Sequence, residues 1–190
     1  MWGLQIAVAA SLAVAALAVA GCAPAGSSPA LRAVDDRFLP YREVMTETRH
    51  VVDVDTSVAI TLSARIPRDA GASAYVLMLD VTYRSAGRAL RHYDSARDAS
   101  AETLPLRAVS RESLGCERSD ACTRRERLEI LLPASHIEAT PRGSYDVKIF
   151  ARNGPSLVVA LQPQTLTHLV ARVRTERAAP ARTAAQAQQR

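Results

Sequence analysis

Alternation of apolar and polar residues is the dominant pattern in the middle of the chain. Every second residue is apolar in six segments, at 58–66, 75–83, 104–108, 128–132, 145–151 and 157–161. Successive side chains of a strand point to opposite faces, so a period of two indicates strands with one buried face. The pattern therefore predicts a chain built mainly of β-strands.

Turn signals separate these segments. Asn153-Gly154, between the last two segments, is a pair of residues that strongly favours a tight β-hairpin turn. Several short strands that are joined by hairpins are typical of an antiparallel β-sandwich. We therefore predict a sandwich of the immunoglobulin-like or a similar type.

The last apolar stretch changes to a helical period. Its apolar residues fall at i, i+3, i+4 and i+7, and they are Leu166, Leu169, Val170 and Val173. This spacing predicts one C-terminal amphipathic helix at about 164–177, which closes a sheet edge or one end of the sandwich. Residues 178–190 contain no aromatic or branched apolar side chain, so we predict a disordered basic tail there.

A different apolar stretch, Ile6–Ala20, lies near the start of the chain and is rich in alanine. Its 15 residues are fewer than the roughly 20 that a membrane-spanning helix needs. A short apolar stretch that ends in small residues is typical of a signal peptide. The alternative is an uncleaved anchor helix, in which the cysteine at position 22 has no role.

The end of this stretch has the order branched apolar residue, two small residues and cysteine, in Val19-Ala20-Gly21-Cys22. This order resembles the lipobox of bacterial lipoproteins. The resemblance implies that residues 1–21 are a cleaved lipoprotein signal peptide. It also implies that Cys22 becomes the first residue, with diacylglycerol on its sulfur and an acyl chain such as palmitate on its amino group. Residues 22–34 are then the lipidated cysteine and a flexible tether, and a β-sandwich domain follows at 35–177.

The same resemblance implies a location. In such lipoproteins an aspartate directly after the lipidated cysteine retains the protein in the inner membrane, and this chain has Ala23 there. We therefore expect a lipid anchor in the outer membrane, with the domain in the periplasm. Burial of acyl chains contributes about 0.8 kcal/mol per methylene, so several chains together give a stable attachment.

Two further cysteines, Cys116 and Cys122, lie in a polar segment. In an exported chain such a pair predicts a disulfide bond, here at the tip of a hairpin. A metal site or a redox pair is the alternative. A zinc site needs two more ligands, however, and a redox pair usually has the spacing Cys-x-x-Cys.

The net charge does not indicate a nucleic-acid partner. The chain has 24 Lys and Arg residues against 19 Asp and Glu residues, for a formal charge of +5. Residues 172–190 hold five arginines and one glutamate, so most of the excess lies at the C-terminus. A nucleic-acid surface requires basic residues that are grouped on the domain, and we predict no such partner.

Patterns typical of catalysis or cofactor binding do not occur in the sequence. The four histidines are far apart, and neither His-x-x-x-His nor Gly-x-Ser-x-Gly nor a glycine-rich phosphate loop is present. We therefore predict no catalytic residue, no metal site and no cofactor. Asp80 lies in the middle of a predicted strand, where we expect it to pair with an arginine.

The most densely charged part of the domain surrounds the predicted disulfide. Its arginines are Arg118, Arg124, Arg125 and Arg127, and acidic residues lie among them. Mixed signs favour a solvated surface whose charges pair with one another. The functional alternative is a docking tip for another envelope protein, ordered in advance by the disulfide.

These patterns together predict a non-enzymatic periplasmic lipoprotein of the outer membrane, which acts as a structural or interaction module with other cell-envelope components. The expected partners are the membrane, through the N-terminal lipid, and an envelope protein. The main alternative is a lipoprotein that binds a small ligand or a metal between a sheet and the closing helix. An envelope hydrolase with a scattered active site is a third hypothesis.

Overall fold

The computed structural model describes residues 30–69, 71–86, 89–116, 121–139 and 143–187. The predicted signal peptide and Cys22 lie outside these residues. In chain order the elements are β1 (Leu31–Val34), β2 (Tyr41–Thr46), β3 (Arg49–Asp53), β4 (Thr56–Pro67), β5 (Ala74–Ala86), β6 (Tyr93–Asp98), β7 (Thr103–Leu104), β8 (Leu106–Cys116), β9 (Ala121–Leu132), α1 (Ala134–Glu138), β10 (Tyr145–Ala151), β11 (Leu157–Leu161) and α2 (Pro163–Ala187).

The strands form two antiparallel sheets, which pack on each other as a β-sandwich. The large sheet has the order β1-β2-β4-β5-β9-β8, and β3 also pairs with β4. The small sheet has the order β11-β10-β6-β7. The predicted mainly β, antiparallel sandwich is therefore confirmed.

The core lies between the sheets, and apolar side chains at every second position of the long central strands fill it. The inward residues of β5 are at most 2% exposed, and they are Tyr75, Leu77, Leu79, Val81 and Tyr83. The four predicted apolar residues of the C-terminal helix are also buried, where α2 packs against β2, β4 and α1. The helix therefore covers a part of the large sheet, as its spacing predicts.

Both predicted hairpins are present, but the β10–β11 turn is longer than the predicted tight turn, because the last paired residues are Ile149 and Leu157. Cys116 and Cys122 form a disulfide at the end of the β8–β9 pair where the two strands are joined. Asn153 and Gly154 lie between β10 and β11, and Gly154 has φ of +117°. This positive φ suits glycine, which has no Cβ to clash with the backbone.

Two predicted boundaries are wrong. The tether was expected to extend to residue 34, but residues 31–34 form β1, which pairs with β2. The helix was expected to end at about 177 and to be followed by disorder, but α2 continues to Ala187. Alanine, glutamine and arginine are good helix formers, which favours continuation of a helix that packing has already begun. Pro180 has no N–H to donate to the Glu176 carbonyl, and that carbonyl accepts from Nη2 of Arg42 at 2.8 Å. Residues 188–190 lie outside the described part.

One strand, Tyr93–Asp98 (β6), lies outside the segments that the alternating pattern identifies. This strand pairs with β10 and β7 in the small sheet. Its buried residues are Tyr93, Ala96 and Asp98, and only two of these are apolar. The alternation that marks the other strands is therefore too weak here to identify the strand.

A buried carboxylate connects the two sheets. The side chain of Glu126 on β9 is 0% exposed. Its Oε1 accepts hydrogen bonds from the Tyr83 hydroxyl (2.6 Å) and the His92 backbone N–H (3.0 Å). Its Oε2 accepts from the Tyr93 backbone N–H (3.2 Å) and from Nε of Arg111 (3.0 Å). One side chain of the large sheet therefore holds the start of β6 in the small sheet.

We expect Glu126→Gln to destabilise the domain strongly. All four partners of this carboxylate are donors, so an amide NH₂ would face donors and the Arg111 charge would lose its partner. Removal of one member of a buried ion pair typically costs about 3 kcal/mol or more, and the lower end applies because the Arg111 side chain is 31% exposed. Urea denaturation monitored by circular dichroism measures the loss.

Glu47→Gln is the matched control, because Glu47 is exposed. We expect it to change the free energy of unfolding by about 0.5 kcal/mol or less. Equal denaturation midpoints for the two variants would show that the buried carboxylate does not hold the sheets together.

Candidate functional site

The four arginines of the predicted docking tip lie on or next to β9 in the sequence. Arg118 lies outside the described residues, and the other three lie along β9. Arg124 is only 8% exposed. Because side chains alternate along a strand, Arg125 and Arg127 lie on the opposite face of the sheet from Arg124. These arginines are therefore distributed over two faces of the sheet.

Asp80 on β5 accepts hydrogen bonds from two of these arginines. Nε of Arg125 donates to Oδ1 of Asp80 at 2.7 Å, and Nη2 of Arg125 also bonds the carboxylate. Nε of Arg127 donates to Oδ2 at 3.3 Å. The hydrogen bonds from Arg125 are the main reason that the pKa of Asp80 is lowered. The predicted arginine partner of Asp80 is confirmed, and the arginines that provide it stabilise the sheet.

A second charged cluster brings together Asp98, Glu102 and His136. One ligand atom from each lies within 4.8 Å of the others. Nδ1 of His136 is 3.5 Å from Oδ2 of Asp98 and 3.9 Å from Oε2 of Glu102. The cluster lies where the turn after β6 meets the short helix α1, so residues that are distant in sequence converge.

The Asp98 carboxylate is 2% exposed and is held by several donors. Its Oδ1 accepts from the Ser100 N–H (2.9 Å), the Ser100 hydroxyl (2.7 Å) and the Glu102 N–H (2.9 Å). Its Oδ2 accepts from the Tyr145 hydroxyl at 3.1 Å. Burial alone would raise the pKa of Asp98, but these hydrogen bonds outweigh it and lower the pKa. The cluster therefore contains a carboxylate that is held in its charged form.

Burial and the neighbouring Asp98 charge act on Tyr145 in the opposite direction. Both raise the pKa of its hydroxyl, because a phenolate beside a carboxylate is disfavoured. The tyrosine is therefore a hydrogen-bond donor to Asp98 throughout the physiological range. Its ring also lies next to His136, with centroids 6.4 Å apart.

The open side of the sandwich is the third feature. Here β3, at one edge of the large sheet, faces β11, at one edge of the small sheet, across a cleft. Side chains of Val51, Val58, Ile60 and Val158 line it. Nη2 of Arg49 donates to the Ala160 carbonyl at 3.1 Å and bridges the two edges. This cleft is lined by apolar side chains and bordered by charged ones.

Exposed apolar residues concentrate at the same side. Eight large hydrophobic residues are exposed in the described part of the chain, and four of them are Val51, Val52, Val54 and Val158. Val54 and Val52 are 93% and 76% exposed. Val51 and Val158 line the cleft, whereas Val52 lies on the opposite face of β3 from Val51. Exposed apolar residues that are grouped at one edge and bordered by polar residues are typical of an interaction surface. We call the residues of β3 and β11 with this cleft the open side.

Comparison with known proteins finds no matching family model, no matching curated protein and no matching solved structure. Neither of the two described helices is both long and apolar enough to cross a membrane. The function must therefore be inferred from the residues of this chain.

Sequence reasoning missed both the acidic–histidine cluster and the open side. The spacing of Asp98, Glu102 and His136 contains no ligand motif, because α1 is brought to the β6–β7 turn only by the tertiary fold. The segment 49–54 does contain a signal for an edge strand, namely two adjacent valines between charged residues. The period-two signal of such a segment is weak, since both of its faces are partly polar.

Proposed function

We propose that the protein is a non-enzymatic lipoprotein, anchored in the outer membrane through Cys22, whose β-sandwich is an interaction module for other cell-envelope components in the periplasm. The observation that carries the interaction role is the open side, where apolar side chains remain exposed between two sheet edges. The lipobox-like residues 19–22 support the anchor.

The distance from the proposed lipid to the domain supports the same arrangement. Eight residues lie between Cys22 and Leu31, where β1 begins. A fully extended chain of this length spans at most about 30 Å. The anchor would therefore keep the sandwich within one domain diameter of the membrane surface, where it meets other envelope proteins.

The anchor is tested by replacing the proposed acylated residue. We expect Cys22→Ser to lose acylation and signal cleavage at this site, and to leave the membrane fraction after washing with high salt and alkali. Intact-mass analysis of the detergent-extracted protein measures acylation directly. Cys116→Ser/Cys122→Ser is the matched control and is expected to remain bound. A Cys22→Ser variant that matures normally and remains in the washed membrane would refute the anchor.

The interaction role is tested at the open side. We expect a photoreactive amino acid at Val158 to give a discrete crosslinked species with another envelope protein in intact cells. The same group at Val109 is the control, because Val109 is 52% exposed and lies on β8 at the other edge of the large sheet. A product supports the role when its mass differs from that of two copies of the mature chain. Identical products from both positions, or none from either, would contradict the role.

Binding of a divalent cation is a second candidate function, and the acidic–histidine cluster favours it. The imidazole nitrogen and carboxylate oxygens of His136, Asp98 and Glu102 are suitable zinc ligands. Ligands at about 2.0 Å from a tetrahedral zinc ion lie about 3.3 Å apart. The two Nδ1–oxygen distances are 3.5 Å and 3.9 Å, and all three ligand atoms lie within 4.8 Å of one another. The side chains of His136 and Glu102 are partly exposed, so they can rotate towards a common ion.

Calorimetric titration of the full chain with zinc tests this candidate. We expect a site of one zinc per chain that is lost in His136→Ala and retained in His50→Ala. His50 is the matched control because it is exposed on β3, and β3 lies on the other sheet from β6. Zinc binding that is absent in the native chain, or equal in the two variants, would exclude this cluster as a metal site.

A further inference from the structure

The outer edge of β3 is unpaired in the described part of the chain. One side of β3 pairs with β4, from Arg49 opposite Ile60 to Asp53 opposite Thr56. All five of its residues are exposed. An exposed edge of this kind presents free backbone N–H and C=O groups, which can pair with another strand.

Among residues 30–187, no described strand covers this edge. β2 pairs with β4 at Ser63–Pro67, and β1 lies outside β2. β3 pairs instead with residues 56–60 of β4. A strand added outside β3 would therefore lie beyond the end of β1, in line with it.

The hairpin between β3 and β4 determines which backbone groups face outwards. Two residues, Val54 and Asp55, separate Asp53 from its partner Thr56, so these partners form the hydrogen-bonded closing pair of a tight hairpin. The Asp55 carbonyl accepts from the Arg84 N–H on the β5 side at 3.0 Å, which agrees with this alternation. Because hydrogen bonding alternates along an antiparallel pair, His50 and Val52 direct their N–H and C=O groups away from β4.

The sequence of β3 is complementary to itself. In Arg49-His50-Val51-Val52-Asp53 the arginine and the aspartate are equally far from Val51. When two copies run antiparallel about Val51, Arg49 of each copy faces Asp53 of the other. Opposite charges directly across an antiparallel pair are stabilising. His50 of one copy then forms a hydrogen-bonded pair with Val52 of the other copy. The Val51 residues of the two copies lie directly opposite each other.

We propose that β3 is a self-association edge, through which two copies of this chain pair antiparallel about Val51 and join their large sheets into one. The equal spacing of Arg49 and Asp53 favours a second copy, because a foreign strand would not require this symmetry. The inference goes beyond the proposed function and does not depend on the lipid.

Disulfide crosslinking of the full chain in its membrane tests the pairing. Val51 would face its symmetry mate in a non-hydrogen-bonded pair, where Cβ atoms are closest. We expect Val51→Cys to form a covalent dimer under mild oxidation, at a yield about tenfold above that of Val109→Cys. Val109 is a suitable control because it is 52% exposed, similar to the 45% of Val51. Equal yields from the two variants, or no dimer from either, would overturn the proposal.

Charge reversal tests the register. In the Val51→Cys background, Arg49→Asp alone or Asp53→Arg alone places like charges across the dimer, and we expect about tenfold less crosslinking. The double reversal restores opposite charges, and we expect the yield to return to within about twofold of the parent. Arg49 also bonds the Ala160 carbonyl, and that bond is lost in both Arg49→Asp variants, so recovery would report the interchain pair. A double variant that remains as low as the single ones would overturn the proposed pairing.

Discussion

The hydrogen bonding of one buried carboxylate determines how the two sheets meet. Glu126 is enclosed in the core, where donors from β5, β8 and the start of β6 surround its carboxylate. A buried charge without such donors would cost far more than the packing could return. His92 and Tyr93 lead into β6, whose neighbours form the rest of the small sheet. The placement of that sheet over the large one therefore depends on this side chain, and the apolar core fills the space that results.

The strands that could be predicted from the sequence are those with a clear difference between their two faces. β4 and β5 alternate because one face is in the core, and Asn153-Gly154 identifies the β10–β11 hairpin by local turn chemistry alone. β6 shows no such difference, because its buried aspartate is satisfied by donors that lie in other segments. The predicted tether and disordered tail also misplace β1 and the end of α2. Pairing with β2 orders residues 31–34, and the helix that packing begins continues beyond residue 177.

The candidate sites were less predictable, because each depends on contacts between distant segments. The arginines of β9 are evident in the sequence, but their alternation between two faces and their pairing with Asp80 depend on the register of β5 against β9. Asp98 and His136 are brought together by the packing of α1 on the sandwich, and no spacing rule anticipates that. The exposed valines of β3 are visible in the sequence, whereas their position at an unpaired edge is a property of the sheet order.

The position of α2 after all the strands that it covers has a consequence for how the molecule is made. Its buried residues, at 166–173, cover strands that were synthesised more than 100 residues earlier, and Arg42 bonds Glu176 across a separation of 134 residues. A polypeptide that emerges N-terminus first cannot complete this core until α2 has been synthesised. The early strands therefore remain incompletely covered during synthesis, when transient binding by chaperones would protect them. Completion of the core therefore depends on the synthesis of α2.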